Sequence, residues 1–467
     1  MQDETLTALA FAAYLIVIAA LGLAAYRRTR NAAGFILGNR QLSQWVTALS
    51  AGASDMSGWL LLGLPGLAYV SLCESIWVAL GLFAGTYLNW RFIAQPLREK
   101  SERYGNALTI PEYFEKRFND DTHVLRTLSA LCILAFFVFY TAAGLVAGGK
   151  LLAASFGLPY STAVILGASL IVAYTAFGGF LAAAWTDTLQ ALLMLFALAT
   201  VAALAFWQMG ELPVRARADD LKFLVPPKPV SAVVVLSSLA WGFGYFGQPH
   251  ILNRFMAISD PCQLGTARKL ALAWTGVCLG AAIVVGFCAP SVLQSPLVGG
   301  DTEKVFIHLI ELLLHPTIAG VCLAAILAAI MSTADSQLLV AAAALTHDLF
   351  GRSAETSGQG LHWHRVAVVL ICLVATTLAL EPGAMVFDLV AYAWAGFGAA
   401  LGPCIIMSLY CATTSRWSVL AGMLVGAFVV VVWELLDGGI FEIYALLPGF
   451  GCGLAAIFLT DRVAKGR

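Results

Sequence analysis

TALSAGASDMSGWLLLGLPG, residues 47–66, is an apolar segment that is long enough to cross a membrane but unsuited to a regular helix. It contains Gly58 and Pro65, and in a helix interior glycine costs about 1 kcal/mol and proline about 3 kcal/mol. A second segment of this kind, WGFGYFGQPH at 241–250, combines three glycines with Pro249. Irregular backbone at membrane depth persists only where it lines a cavity or binds something. The two segments therefore predict a binding site at the centre of a helical membrane protein.

The composition of the chain excludes a water-soluble protein. Of 467 residues, 60% are hydrophobic and only 11% are charged, whereas about a quarter of the residues in a soluble domain are charged. The net charge of −1, without a basic cluster interleaved with aromatics, gives no indication of nucleic-acid binding. The ten cysteines stand singly in apolar stretches, which favours packing roles over a disulfide framework or a zinc site.

Apolar runs near twenty residues predict an all-α polytopic protein with about thirteen membrane-spanning helices. The predicted spans are 5–26, 44–71, 74–95, 124–154, 160–180, 184–208, 231–250, 271–293, 317–347, 364–381, 385–410, 417–436 and 441–460. The 96–123 stretch between the third and fourth spans is interpreted either as a cytoplasmic helical connector or as a solvated loop.

The distribution of basic residues predicts the orientation. The chain begins with acidic residues and an apolar run that ends at Arg27 and Arg28, the reverse of the order in a cleaved signal peptide. We therefore expect a retained span with the N-terminus outside. About twenty of the 26 Lys and Arg residues, Arg254 among them, are then assigned to inner loops, as the positive-inside rule requires, and the C-terminus is cytoplasmic.

The positions of the broken segments predict an internal repeat within a single transmembrane domain, 1–467. If span 5–26 is an extra N-terminal helix, residues 44–208 and 231–410 form two groups of five spans, and a broken span heads each group. The last two helices, 417–460, are peripheral. Interrupted helices at matching places of two halves are typical of inverted-repeat transporters, with the binding site near the bilayer midplane.

Asp55 lies within the first broken span, beside Ser54 and Ser57. A carboxylate at this depth costs a few kcal/mol, and such residues commonly have a function. The alternative is a structural acid that accepts hydrogen bonds from backbone amides freed at the break. Both roles are compatible.

A candidate cation-binding face lies in the ninth span, LAAILAAIMSTADSQLL at 323–339. Ala329, Ser332, Thr333 and Ser336 follow the spacing i, i+3, i+4, i+7 and so share one helical face. Hydroxyl and carbonyl oxygens there suit a monovalent cation, although Ser and Thr also bond back to their own helix. Asp335 on this helix and Asp187 in the sixth span are candidates for a second ion or a proton.

Aromatic residues stand near the two breaks, namely Trp59, Tyr140, Trp241 and Tyr245. Such rings are also common in lipid-facing belts. A small ring that carries an ammonium would pack on them with some cation–π attraction, while amides at a broken helix end suit a carboxylate. These features favour a compact zwitterion as ligand. No nucleotide-binding loop, zinc-protease motif or nucleophile elbow occurs in a plausible context, so no enzyme activity is expected.

Five motifs together resemble the sodium:solute symporter family, and within it most closely the bacterial sodium/proline symporters. The likeness extends from about residue 5 to 460, in order and with similar spacing. It implies a leucine-transporter-type fold with a 5+5 inverted-repeat core and alternating access around a central site. The motifs are TALSAGASDMSGWLLLGLPG, GFLAAAWTDTLQA, WGFGYFGQPHILNRFMA, AAIMSTADSQLL and AYAWAGFGAALGP.

The resemblance also implies roles for particular residues. The sodium ligands would be the carbonyls of Ala53, Met56 and Ala329 and the hydroxyls of Ser332 and Thr333. The substrate pocket would be formed by Ser57, Trp59, Tyr140, Trp241 and Tyr245, with Gly320 leaving room. Asp55 resembles a coupling residue, and Arg40 and Glu74 resemble gating or coupling residues on either side of the second span. Some relatives hold a second sodium near the positions of Asp187, Asp335 and Ser336.

The function implied is import of L-proline driven by co-transported sodium across a bacterial inner membrane, with no obligate protein partner. Other solutes of the same family are an alternative: another amino acid, a sugar, pantothenate or a carboxylate. A membrane sensor is a second alternative, disfavoured because only a few residues follow the last span. A channel is disfavoured because broken helices in inverted halves suit occlusion.

Overall fold

Eighteen α-helices, several of them extended by short 3-10 or π-helical turns, make up the part of the chain that the computed structural model describes. That part comprises residues 2–26, 31–211, 231–293, 295–350, 360–381, 385–436 and 438–465. The helices are α1 Gln2–Tyr26, α2 Ala32–Leu37, α3 Gln44–Asp55, α4 Leu64–Val70, α5 Leu72–Leu88, α6 Ala94–Arg103, α7 Ile110–Arg117, α8 Val124–Phe156, α9 Tyr160–Glu211, α10 Ala232–Ala240, α11 Pro249–Ala257, α12 Leu264–Val292, α13 Val305–Leu313, α14 Pro316–Ala343, α15 Gly360–Ala379, α16 Val386–Tyr410, α17 Arg416–Glu434 and α18 Leu446–Lys465.

The predicted all-α membrane architecture is confirmed. Among the described residues, nine helices are long and apolar enough to cross a membrane. The sequence predicts about thirteen spans, four more than these nine helices. The four additional apolar runs (44–71, 74–95, 160–180 and 231–250) coincide with helices that turns or a kink divide into shorter pieces. The 96–123 connector contains helices α6 and α7, as its helical interpretation predicts.

Both predicted helix breaks are present. Helix α3 ends at Asp55, and a π-helical turn, Trp59–Gly63, joins it to α4, which has Pro65 in its first turn. The second segment passes from α10 into a 3-10 turn, Trp241–Gly247, before Pro249 begins α11. The orphan amides and carbonyls at such ends need partners from outside the helix, so the breaks present polar backbone to the interior.

Glycine permits the second break to pack tightly against its neighbours. A Cβ on Gly85 of α5 would lie 2.3 Å from the carbonyl oxygen of Gly242, a distance that no side chain tolerates. Gly244 approaches Trp394 of α16 in the same manner, with 1.8 Å between the added Cβ and Nε1. The glycines of the broken segment are therefore required by close contacts as well as by helix interruption.

Helix α9 contains two of the predicted spans and bends at Gly179, where φ is 66°. This left-handed backbone suits glycine because it has no Cβ. Asp187 lies two turns beyond the bend and is fully buried.

The limits of the two repeats, 44–208 and 231–410, stay a prediction, as does the orientation of the termini. Arg27 and Arg28, which enter that orientation, lie outside the described residues.

Helix α14 is buried along nearly its whole length and packs against α1, α3, α8 and α9. Its central position brings the predicted hydroxyl face next to the first broken segment. The predicted cation ligands are thereby placed in the interior of the helical assembly.

Candidate functional site

The two broken segments meet at a narrow cavity with a free volume of about 10 Å³. Helices α5, α8 and α16 complete its walls. The lining residues are Asp55, Met56, Trp59, Leu82, Tyr140, Trp241, Tyr245, Val390 and Trp394. A cavity with mainly aromatic walls and one carboxylate is suited to a small molecule that has an apolar body and a positive charge.

Asp55 links the two breaks. Its Oδ2 atom accepts a 2.7 Å hydrogen bond from the hydroxyl of Tyr245, and its backbone carbonyl accepts a 3.4 Å hydrogen bond from the hydroxyl of Tyr140. The carboxylate is therefore oriented by a side chain from the opposite half of the molecule. It is available to a cationic group in the cavity.

The indole rings of Trp59 and Trp241 stack with centroids 5.8 Å apart and form one wall. Trp394 packs edge-on against Tyr245 at 5.0 Å and donates a 2.8 Å hydrogen bond from Nε1 to the carbonyl of Trp241. This bond satisfies a carbonyl in the 3-10 turn and restrains the indole rings of Trp394 and Trp241 relative to each other. The aromatic wall is therefore braced by α16.

The structure brings together most of the residues predicted for the pocket. Tyr140 and the three rings predicted with it line the cavity. Ser57 lies beside them, buried, and its hydroxyl accepts a 3.1 Å hydrogen bond from the backbone N–H of Trp59. Gly320 is not part of the pocket, contrary to the prediction. A Cβ there would lie 2.8 Å from the Cβ of Ala10, so the space next to Gly320 is filled by α1.

The predicted cation ligands lie where α14 crosses the end of α3. The Ser332 hydroxyl is 2.9 Å from the carbonyl oxygen of Ala53 and 3.0 Å from that of Ala329. The Thr333 hydroxyl is 3.4 Å from the same Ala53 carbonyl. The Met56 carbonyl accepts from the Leu60 amide at 3.2 Å; since a carbonyl has two lone pairs, it can accept a further contact.

Asp187 forms a buried ion pair with Arg254 of α11. The guanidinium Nη2 is 3.0 Å from Oδ2 of Asp187, and Ser50 of α3 donates to the same carboxylate oxygen at 2.6 Å. Arg254 also contacts the hydroxyl of Ser336, which in turn donates to Oδ1 of Asp335 at 3.1 Å. The three residues predicted for a second ion are thus connected through Arg254, with Asp335 joined to it by the Ser336 hydroxyl.

Arg254 corrects the sequence analysis. The count of basic residues assigned it to an inner loop, but its exposed fraction is 0%. Its Nε donates to Ser50 at 3.0 Å and its Nη1 donates to the carbonyl of His250 at 2.7 Å. A buried guanidinium needs several such partners to offset its loss of hydration, and helices α3, α9, α11 and α14 supply them.

Arg40 and Glu74 are not brought together. Arg40 lies ahead of α3 and donates to the carbonyl of Ala107 at 2.9 Å, while Glu74 is in the first turn of α5, beyond α4. Burial, and then the neighbouring charge of Arg98, lower the pKa of Arg40 to about 10, so it stays charged at neutral pH. The two residues flank the first broken segment at its opposite ends.

Sequence reasoning missed Leu82, Val390 and Trp394 as cavity residues. Leu82 and Val390 belong to predominantly apolar helices, where the residue pattern does not distinguish the inward face. Trp394 lies in AYAWAGFGAALGP, and a single indole among small residues that permit close packing is a signal for it.

The fold and the site define a class: a helical membrane transporter in which broken helices hold an aromatic cavity beside an oxygen-rich face. A profile of the Sodium:solute symporter family matches residues 35–426. The chain belongs to the sodium:solute symporter family. It is a transporter and not an enzyme.

Relatives match along nearly the full length of the chain. The chain is 42% identical to a sodium/proline symporter of Salmonella typhimurium, over 100% of this chain and 94% of the relative. It is 42% identical to a sodium/proline symporter of Escherichia coli with the same coverage. It is 40% identical to the high-affinity proline transporter PutP of Bacillus subtilis, over 94% of each chain.

Solved structures support the fold. A Na⁺-coupled sialic acid symporter in a substrate-bound outward-open state superposes with a TM-score of 0.81, at 17% identity and 98% coverage of both chains. MhsT in complex with L-phenylalanine gives a TM-score of 0.56, at 16% identity, with 90% of this chain and 98% of that chain covered. The predicted leucine-transporter-type fold is confirmed.

Proposed function

We propose that this protein is a sodium-coupled importer of L-proline in a bacterial cytoplasmic membrane. Relatives named as proline transporters are about 40% identical over nearly the whole chain, which supports proline as the substrate. The orientation that we propose has the N-terminus outside and the connector α6–α7 in the cytoplasm. Lipid, sodium and proline are then the partners of the protein.

The cavity chemistry supports a compact zwitterion. The pyrrolidine ring packs on the stacked indoles of Trp59 and Trp241, and the ammonium faces the Asp55 carboxylate and the hydroxyls around it. Amides freed at the break that follows Asp55 receive the substrate carboxylate. Ser57 and Tyr140 narrow this end of the pocket to a small substrate.

Sodium is a co-transported substrate, and its proposed ligands are the carbonyls of Ala53, Met56 and Ala329 and the hydroxyls of Ser332 and Thr333. The observation that carries the proposal is that one short segment serves both sites: Ala53 contacts the hydroxyls of α14 while Asp55 and Trp59 line the cavity. Sodium bound at Ala53 therefore holds the segment in the arrangement that proline needs. Proline strengthens sodium binding by the same factor.

Asp187 has Arg254 as its counter-ion, and we therefore assign it a structural role rather than that of a free sodium ligand. Asp335 and Ser336 belong to the same cluster through the Ser336 hydroxyl. Arg40 and Glu74 are candidates for gating or coupling in the proposed cycle, at the two ends of the first broken segment.

The test is uptake of labelled L-proline into proteoliposomes with and without an inward sodium gradient. Unlabelled amino acids, a sugar, pantothenate and a carboxylate serve as competitors. Sodium-dependent accumulation that only proline-like compounds block is the expected result. If proline is not accumulated while sodium still raises the thermal stability of the protein, the cation site stands and the substrate is another solute.

A further inference from the structure

Four basic side chains converge on the ends of two helices, one that lines the cavity and one that follows a lining segment directly in the chain. Helix α11 follows the 3-10 turn that holds Trp241 and Tyr245, and α16 carries Val390 and Trp394. At their C-terminal ends these helices meet Arg40, the α6 residues Arg98 and Lys100, and the α7 residue Arg117. We call these four residues the basic latch.

At the end of α11, Arg98 donates from Nε to the carbonyl of Ile258 at 2.8 Å. Arg40 donates from Nη1 to the carbonyl of Met256. The backbone of Leu42 is bonded on the same helix end, since its N–H lies 3.1 Å from the carbonyl oxygen of Ala257. The C-terminus of α11 is therefore held by the chain that precedes α3 and by the connector together.

At the end of α16, Arg117 donates from Nε to the carbonyl of Ser408 at 3.0 Å and from Nη2 to that of Cys411 at 3.1 Å. Lys100 donates to the carbonyl of Leu409 between them. The last carbonyls of a helix have no intrahelical partner and carry partial negative charge. Lys100 and Arg117 provide donors and positive charge at that end.

The latch differs from an ion-pair gate. Within the described part of the chain, the hydrogen bonds that the four side chains make to the ends of α11 and α16 all go to main-chain carbonyls. Charge-assisted hydrogen bonds are stronger than neutral ones, and carbonyls at a helix end move only with the helix. The contacts therefore report the position of the helix as a whole.

We propose that the basic latch holds the connector end of the transporter closed by gripping the C-termini of α11 and α16, and that these contacts break when the cavity opens toward the connector. This inference rests on the proposed transport function and names a device within it. In the proposed orientation the connector end is cytoplasmic. Lys100 and Arg117 are positioning residues, since neither lines the cavity.

Two native cysteines report on the latch without engineered probes. Cys411 is half-buried and its main-chain carbonyl accepts a hydrogen bond from Arg117, whereas Cys262 is exposed and lies beyond the end of α11. Full-length protein in nanodiscs is labelled with a soluble maleimide, and the rate at each cysteine is read by mass spectrometry. Arg117→Gln and Lys100→Gln are compared with Arg103→Gln, which removes an exposed basic residue of the same connector helix.

We expect Arg117→Gln to label Cys411 about tenfold faster, because two charge-assisted hydrogen bonds to the helix end are lost. Lys100→Gln increases the Cys411 labelling rate less than Arg117→Gln does. Arg117→Lys gives a rate between those of the wild-type protein and Arg117→Gln. Arg103→Gln and the Cys262 rate stay at wild-type values. Unfolding raises the Cys411 rate without this graded order, and thermal melting of each variant detects it.

Unchanged Cys411 labelling in Arg117→Gln and in the Lys100→Gln/Arg117→Gln double variant overturns the latch. An equal increase in Arg103→Gln does so as well. The measurement needs no substrate, so its outcome is separate from that of proline uptake. If wild-type protein fails to accumulate proline but the labelling follows the predicted order, the latch stands and the substrate assignment fails.

Discussion

Tyr245 donates a 2.7 Å hydrogen bond to Asp55, and the two residues are 190 positions apart in the chain. Asp55 lies at the first helix break and Tyr245 lies at the second. Their hydrogen bond therefore joins the two broken segments at the cavity wall. It orients the carboxylate of a residue that lines the cavity. A substrate cation would meet an acceptor whose position is already fixed.

Tyr245→Phe removes this bond and keeps the ring. A hydrogen bond to a charged group contributes about 1.5–3 kcal/mol, and we expect the KM for proline at saturating sodium to rise at least about tenfold. Sodium-driven uptake measures it. Tyr160→Phe is the matched control, since the Tyr160 hydroxyl donates a 2.9 Å hydrogen bond to the carbonyl of Ala379 and Tyr160 does not line the cavity. A Tyr245→Phe protein with a wild-type KM contradicts the role of this bond.

Ser332→Ala tests the sodium face. The Ser332 hydroxyl lies 2.9 Å from the Ala53 carbonyl, and losing a ligand of this kind is expected to raise the half-saturating sodium concentration about tenfold. Because binding is reciprocal, the affinity for proline falls at low sodium and recovers at saturating sodium. Uptake is measured across a sodium series at fixed proline.

The control for the sodium face is Ser169→Ala. Its hydroxyl bonds only within its own helix, to the Ile165 carbonyl at 2.8 Å, on an exposed surface. The same shift in both variants would show a general effect of losing a helical hydroxyl. An unshifted sodium response in Ser332→Ala would remove this residue from the site.

Arg254→Gln leaves Asp187 buried without its counter-ion. Breaking a buried ion pair by removing one partner costs about 3–5 kcal/mol, so we expect a marked fall in the melting temperature of the purified protein. Adding Asp187→Asn removes the unpaired charge and should recover part of the loss. Lys269→Gln, which removes an exposed charge of α12, should leave the melting temperature unchanged. A double variant no more stable than Arg254→Gln would contradict the pairing.

The broken helices could be predicted because their cause is local. Glycine and proline impair a helix wherever they stand, and Gly58 and Pro249 mark breaks that the structure contains. The hydroxyl face of α14 could be predicted for the same reason, since Ser332 and Thr333 follow helical spacing. Structural features that depend on one segment alone can be predicted from the sequence of that segment.

Other features depend on partners that are distant in the chain. The count of basic residues places Arg254 in a loop because it cannot detect that Asp187, 67 positions away, pairs with it. Gly320 suggested free space, but α1 occupies that space. Trp394 enters the cavity wall only because Gly244 lets α16 approach. In each case the missing information is which helix lies next to the residue.

Gly244→Ala tests how closely α16 approaches the second break. The new Cβ would lie 1.8 Å from Nε1 of Trp394, which donates to the Trp241 carbonyl at 2.8 Å. The indole must move, so the bond is lost and the aromatic wall shifts; overpacking of this kind costs about 1–3 kcal/mol. We expect a lower melting temperature and a higher KM for proline.

In Gly280→Ala of α12, where nothing lies within 4 Å of the added Cβ, the melting temperature should hold or rise, since alanine is favoured by up to about 1 kcal/mol in a helix. Adding Trp394→Phe to Gly244→Ala removes the clashing nitrogen and should restore part of the stability. Wild-type melting and KM in Gly244→Ala would mean that α16 does not brace the wall.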